Sequence, residues 1–496
     1  MHTARSWNPN ATWIAALAVA CLAPSGVDAQ VTELIDAAGD GMGNGLTGAY
    51  GVAVDAARNV YVTGDQSDNV FRIEPTGVVT QILDASGDGL GNPLIRPFDI
   101  ALDGVGNVYV AGYDSANVFK VTPGGAVTEI IDAAGDGVHP LDEVFAIDAD
   151  GSGNVYVAGA RSHNVFRVTP TGTITQVLDA SGDGAGNALA FPLDVVVDGA
   201  GDLYVSGRDS DNVFQVLDPG GVPQIRVILD ASGDGAGNAL DGPRDLAVDG
   251  AGNVFVCAQM SANAFVVTPA GQVTEILDQS GDGTGNELID PLGLTVDGSG
   301  DVYVTGFTSD TVFKVEDPAG ANTVSLLVDS SGDGGTGVLA NPGRIAVDAW
   351  GNVYVTGFES DNAFQVTQCG AGASATFRNG GSNPASLTAS VPVLGSQQTF
   401  TVDLGGTTGH ASAVVVGYLT PTNFMLPGGQ VVLANGADPG GELFGFGMTP
   451  GPLATFQIQV PNDSRLCGTF LVAQGVHVGG IQPFQLSNAM DLVVGL

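Results

Sequence analysis

The chain is short of positive charge. Its 496 residues hold only 14 Lys plus Arg against 53 Asp plus Glu, a formal net charge of −39. Following a phosphate backbone takes clustered cations, so nucleic acid is excluded as an expected partner. Histidine is scarce, with five residues, leaving few imidazoles for metal or acid–base chemistry. Four cysteines in so long a chain exclude a disulfide-dense scaffold. No Gly-x-Ser-x-Gly, His-Glu-x-x-His or phosphate-loop motif is present. No helical period competes with the short β-type runs between 30 and 367. The acid is mostly Asp set singly among 75 glycines, which excludes a disordered acidic tail.

What is present begins with a secretory pattern over residues 1–29. His2 and Arg5 precede the apolar run from Trp13 to Ala23, and Val27-Asp28-Ala29 makes a small-residue cleavage site before Gln30. A lipoprotein reading through Cys21 is the weaker alternative, because Leu17 lies one place too far upstream. The expectation is a secreted or cell-surface protein, extracellular or periplasmic, with no transmembrane segment after cleavage.

The stretch Asn-Val-Tyr-Val-Thr-Gly at Asn59 to Gly64 returns, with variations, from Asn107, Asn154, Asp202, Asn253, Asp301 and Asn352. The intervals are 48, 47, 48, 51, 48 and 51 residues. A period of that length marks a radial or solenoid array, and each unit reads as four short strands separated by Gly-rich turns. Seven units predict an all-β fold, a seven-bladed β-propeller. The last unit has only three strands. Val31-Thr-Glu-Leu-Ile-Asp36 nearly repeats the outer strand Val127-Thr-Glu-Ile-Ile-Asp132, so the N-terminal strand is expected to close the last blade and leave no open edge. The units, with cores such as Asp103 to Gly112 and Asp348 to Gly357, resemble the NHL repeat and the bacterial SBBP repeat over residues 30–367. That resemblance implies the propeller fold and is nearly silent on activity.

A second repeated element is Asp-x-Ser/Ala-Gly-Asp-Gly. It starts at Asp36, Asp84, Asp132, Asp179, Asp230, Asp278 and Asp329, and its second carboxylates are Asp40, Asp88, Asp136, Asp183, Asp234, Asp282 and Asp333. Five copies continue to Asn44, Asn92, Asn187, Asn238 and Asn286, and five place Ser86, Ser181, Ser232, Ser280 or Ser331 between the acids. The order resembles the first half of an EF-hand calcium loop, where alternate oxygens ligate and Gly permits the turn. Calcium is the cofactor expected, held weakly, because most copies lack the twelfth-position acid and Ala38 and Ala134 remove a hydroxyl. Asp and Ser beside Gly also form turns without metal, and both readings stand.

Aligning the units puts Gly51, Asp99, Ala146, Asp194, Asp245, Gly293 and Arg344 around the channel, with Arg96 and Arg244 close by. Asp99, Asp194, Asp245 and Arg344 form a candidate ligand mouth. His139 and His163 break the consensus within one unit. Cys257 takes the Thr place of the strand motif and reads as a buried thiol. Residues 368–496 read as a C-terminal β-sandwich, in which Cys369 and Cys467 form one disulfide or remain two thiols. Taken together, the sequence predicts a monomeric, non-catalytic scaffold for a protein or carbohydrate ligand. The alternative is a metal-dependent propeller lyase or lactonase acting at the channel.

Overall fold

The computed structural model describes residues 30–367 and, beyond them, the backbone of strands between 374 and 493. The predicted signal segment and the Cys369–Cys467 bridge lie outside the described residues. Residues 30–367 form seven four-stranded antiparallel sheets, each built from strands consecutive in the chain except the last. Blade I runs from Ala49–Val54 to Val79–Leu83, and blade II from Pro97–Leu102 to Val127–Ile131. Blades III to VI begin at Val144, Pro192, Pro243 and Pro291. Blade VII joins Pro342–Val347, Val353–Gly357 and Asn362–Thr367 to the N-terminal strand Gln30–Ile35, whose Gln30 pairs with Thr367 and Val31 with Val366. The ring closes as the offset repeat predicts.

The repeated letters explain the blades. Each second strand is buried throughout, as in Val60–Gly64 and Val353–Gly357. Each outer strand alternates, with Thr80 exposed and Leu83 buried. The core lies between blades. Seven apolar clusters each combine two neighbouring blades, including VI with VII and VII with I. One fully buried Phe per unit (Phe71, Phe119, Phe166, Phe214, Phe265, Phe313, Phe364) anchors them. Burying such a ring contributes about 2–3 kcal/mol.

The hairpin between the first and second strands is clamped by the Asp-Gly-x-Gly-Asn-Val-Tyr motif. In blade II, Asp103 accepts from the backbone N–H of Asn107 (2.8 Å), from Asn107 Nδ2 (2.6 Å) and from the Tyr109 hydroxyl (3.0 Å). Burial, followed by that carboxylate, pushes the Tyr109 hydroxyl above the usual tyrosine range. The motif that marks the fold thus fixes the face of the ring opposite the blade entries.

Among the described residues, no helix is long and apolar enough to cross a membrane. In the C-terminal region, Ser374–Arg378, Phe484–Val493, Phe470–Val478, Ala411–Tyr418 and Leu443–Met448 form one sheet in that order. Leu387–Ala389, Gln397–Asp403 and Leu453–Gln459 form another, and Pro421–Met425 pairs with Val431–Ala434. The packing expected of a sandwich lies outside the described residues.

Candidate functional site: the rim loops, the axis and the mouth

The Asp-Gly loops leave each outer strand and cross to the entry of the next blade. In each, the first Asp caps its own turn. Asp84 Oδ1 accepts from Ser86 N (2.8 Å) and Ser86 Oγ (2.5 Å), and Asp179, Asp230, Asp278 and Asp329 repeat this with Ser181, Ser232, Ser280 and Ser331. Asp36 and Asp132 make the backbone bond alone. The second Asp does the same one turn on. Asp40 accepts from Met42 N (2.8 Å) and Asn44 Nδ2 (2.7 Å), and Asn92, Asn187, Asn238 and Asn286 donate likewise to Asp88, Asp183, Asp234 and Asp282. Asp333 accepts only backbone N–H groups, from Gly335 and Gly337. In the third loop His139 stands in for Asn, its Nδ1 3.0 Å from Asp136, and holds that carboxyl down at about 2. The Asn44 amide, then the Met42 N–H, hold Asp40 below the usual carboxylate range. Between the two acids, the glycines have φ near +60°, and a Cβ on Gly87 would lie 1.9 Å from the Asn92 carbonyl oxygen. Only glycine fits there.

Where the second strand turns into the third, a Ser-x-Asn corner links blades. Asp68 accepts from Arg96 N (2.7 Å), Asp211 from Gly242 N (2.9 Å), Asp310 from Asn341 N (2.7 Å) and Asp361 from Gly48 N (2.7 Å). His163 occupies this place in blade III, and its Nδ1 accepts from Phe191 N at 2.9 Å. The two histidines that break the consensus each replace a hydrogen-bonding side chain of the repeat, and they do so in two separate places.

Two layers of side chains meet across the axis. In the deeper one, Arg344 of blade VII pairs with Asp194 of blade IV at 3.5 Å and with Asp245 of blade V. Asp194 and Asp245 are buried, as is most of Arg344. Each Asp also accepts from the inner strand of the following blade. Asp99 takes Ile147 N (2.9 Å), Asp194 takes Leu246 N (2.8 Å) and Asp245 takes Leu294 N (2.5 Å). Blade III has Ala146 here, and Asp148, two residues on, reaches Val197 N (2.8 Å) instead. Burial raises the carboxyls of Asp99 and Asp194, opposed by Arg344, and raises Asp148 to about 7, opposed by its backbone hydrogen bonds. Burial disfavours the Arg344 charge, yet Asp99 and Asp194 hold its pKa above the ordinary value. The structure therefore brings Asp194, Asp245 and Arg344 into contact, with Asp99 acting on Arg344 through its charge.

The second layer comes from the residue one place earlier on each inner strand: Tyr50, Phe98, Phe145, Leu193, Arg244 and Leu292. The apolar five form one buried cluster. Tyr50 and Phe98 centroids are 4.5 Å apart, and those of Phe98 and Phe145 5.0 Å. Arg244 of blade V spans the axis, donating from Nη2 to the Tyr50 hydroxyl of blade I at 2.6 Å and lying 5.1 Å over the Phe145 ring of blade III. This layer is an apolar floor with one cation in it. Around it stands a partly exposed collar, with Tyr113, Arg208, Gln259, Phe307 and Phe358 from the corners and Phe191 from a blade entry. Sequence reading passed over these side chains because an apolar residue at a strand end looks like ordinary core. The signal was available in the repeats themselves. The floor column reads Tyr, Phe, Phe, Leu, Arg, Leu, Gly, while the blade-core Phe column is invariant.

Elsewhere, Cys257 is buried, and burial pushes its thiol up to about 12, as expected of an inert core residue. Among the described residues, no three His, Cys, Asp or Glu side chains converge in a way that would hold a metal ion.

No protein-family model matches the chain, and no curated protein matches it in sequence. Solved structures do match in shape. A streptogramin B lyase superposes with a TM-score of 0.53 at 12% identity, over 68% of this chain and 97% of that one. Virginiamycin B lyase from Staphylococcus aureus gives 0.53 at 13% identity, over 69% of this chain and 100% of that one. A catalytically inactive form of the same enzyme, with quinupristin, gives 0.53 at 14% identity and the same coverage. At such identities the likeness is one of fold, the seven-bladed propeller.

Proposed function

We propose that this chain is a secreted, non-catalytic binding scaffold of the NHL or SBBP repeat type, and that it takes its ligand at the collar. One observation carries the reading. Seven blades that agree at nearly every structural position differ in kind around the mouth, where they present aromatic, cationic and amide groups together. A ligand site with an apolar base and a few placed polar groups is the usual composition. The axial acids favour binding over catalysis, because each already accepts a backbone N–H or pairs with Arg344. His139 and His163 are likewise engaged in turns. The lyase alternative rests on shape alone.

The test is to screen the protein against glycan and peptide arrays, alongside the Phe307→Ser/Phe358→Ser variant. Ligands lost in the variant, with its melting temperature retained, support the collar. Ligands bound equally by both proteins overturn it.

Calcium at the rim loops remains part of the proposal in a restricted form. An EF-hand-like loop supplies oxygens to the ion. Here the Asn side chains direct Nδ2 at the second carboxylate, and the first carboxylate is occupied by its own turn. Binding would have to exchange those hydrogen bonds for metal contacts, so affinity is expected to be weak.

A further inference from the structure

We propose that the junction of blades IV and V is an anion site, and that the collar ligand is a small organic carboxylate with an apolar body. This rests on the collar being the ligand face, and it deepens that reading to a chemical class. At three of the seven junctions the corner residue of one blade is matched by the entry residue of the next. Corner Asp65 meets entry Arg96, with Nε to Oδ1 at 3.0 Å. Corner Tyr113 lies beside entry Glu143, and burial, followed by that carboxylate, pushes its hydroxyl up to about 12. Entry Asn341 donates to the Phe307 carbonyl at 3.2 Å. At the junction of IV and V the corner residue is Arg208 and the entry residue is Gly242, which has no side chain with which to match it. The Arg208 Nε is buried without a hydrogen-bond acceptor, as are those of Arg72 and Arg167 elsewhere, and its ion pair with the neighbouring Asp209 is a loose one at 3.6 Å.

Arg244 enters from the same junction. Its guanidinium donates only to neutral groups, the Tyr50 hydroxyl (2.6 Å) and Gln259 Oε1 (3.2 Å). Among the described residues it forms no ion pair with a carboxylate. In a chain of net charge −39, acids to neutralise it are abundant elsewhere, yet none is placed here. Guanidinium presents five donors in a fixed fork suited to a carboxylate, and Arg244 spends two of its donors on the contacts above. The surface beside it is aromatic, with Phe145 beneath its Cζ (5.1 Å) and Phe191 beneath that of Arg208 (5.4 Å). Two under-used guanidiniums over an apolar floor match an anionic head on an apolar body.

The experiment is calorimetric titration of the full-length chain with 3-phenylpropionate, 3-phenylpropionamide and inorganic phosphate. The acid is expected to bind at least about tenfold tighter than the amide, the worth of one charge-assisted hydrogen bond or more. Arg244→Gln and Arg208→Gln are each expected to remove that preference, bringing the affinity for the acid down to that for the amide. Arg244 crosses the axis to bond Tyr50, so Arg208→Gln, at a partly exposed corner, provides the second reading, with melting temperatures as the control. Equal binding of acid and amide, no binding of the acid, or full acid binding by both variants would each overturn the anion site. Phosphate binding as tightly as the acid overturns the apolar-body assignment. Array ligands that need Phe307 and Phe358 but neither arginine overturn the anion site and leave the collar reading intact. Array ligands indifferent to Phe307 and Phe358 overturn the collar itself.

Discussion

From blade II round to blade VI, neighbouring blades are bridged near the axis by carboxylates: Asp99, Asp148, Asp194 and Asp245 each reach a backbone N–H of the next inner strand. From blade VI through VII to I, threonine hydroxyls make the bridges. Thr305 donates to the Gly343 carbonyl (3.0 Å), and Thr356 to that of Tyr50 (2.7 Å). Between I and II, backbones come together directly, since a Cβ on Gly51 would lie 2.9 Å from the Phe98 carbonyl oxygen. A hydroxyl bridge also occurs in the acid arc, where Ser206 donates to the Arg244 carbonyl (3.1 Å), but only that arc carries carboxylates. A hydroxyl bridges neutrally. A carboxylate reaches further but brings a charge that burial penalises, and the acid arc depends on Arg344, borrowed from the other arc, to balance it. The closure of one half of the ring should therefore respond to pH, and that of the other half should not.

Breaking the balance at its source should have the largest effect. Arg344→Met leaves Asp194 and Asp245 buried without their cation, a loss of about 3–5 kcal/mol. In urea unfolding the loss should be greatest near pH 8 and shrink towards pH 5 as the acids take up protons. An equal loss at both pH values would mean the pair carries no charge imbalance. Asp148→Asn should act in the opposite direction. The folded Asp148 carboxyl sits at about 7, against an ordinary 3.8. Its contribution is fully present below the ordinary value and is lost as pH rises through about 7. Asn keeps an acceptor for Val197 N without the charge, so the variant should be more stable than the parent at pH 8, on the order of 1–3 kcal/mol, with no gain near pH 4. Thr356→Val removes a neutral hydrogen bond in the other arc and should cost about 1 kcal/mol, equally at pH 5 and pH 8. A pH-dependent loss there would erase the distinction between the arcs. The smallest effect belongs to the rim. Asn187→Ala should cost about 0.5–1 kcal/mol, and millimolar calcium should raise the melting temperature of the parent by a few degrees at most. No shift against EDTA would remove calcium from the proposal.

Blade number, strand order and ring closure were all legible in the sequence, because turn chemistry and strand alternation repeat seven times and the odd strand at the N terminus matches the gap in blade VII. The axial column was legible as a column. Its depth was not, since alignment places Asp194 and Arg344 around an axis without saying that side chains from opposite blades meet across it. The aromatic floor went unread because Phe98 and Phe145 obey the same apolar logic as the blade cores. The rim loops were read for two chemistries, and which atom of Asn44 faces Asp40 is not carried by spacing.

The clasp in blade VII joins residues very far apart in the chain, with Glu33 bound to Asn362 across 329 positions. Until that clasp forms, Asn362–Thr367 offers an unpaired edge, and the strand that fits it is carried by every other copy as well. Refolding at high protein concentration should therefore yield some closed dimers in which each chain's first strand completes its partner's last blade. Every blade in such a dimer would be identical to its counterpart in the monomer, and only size would tell the two apart.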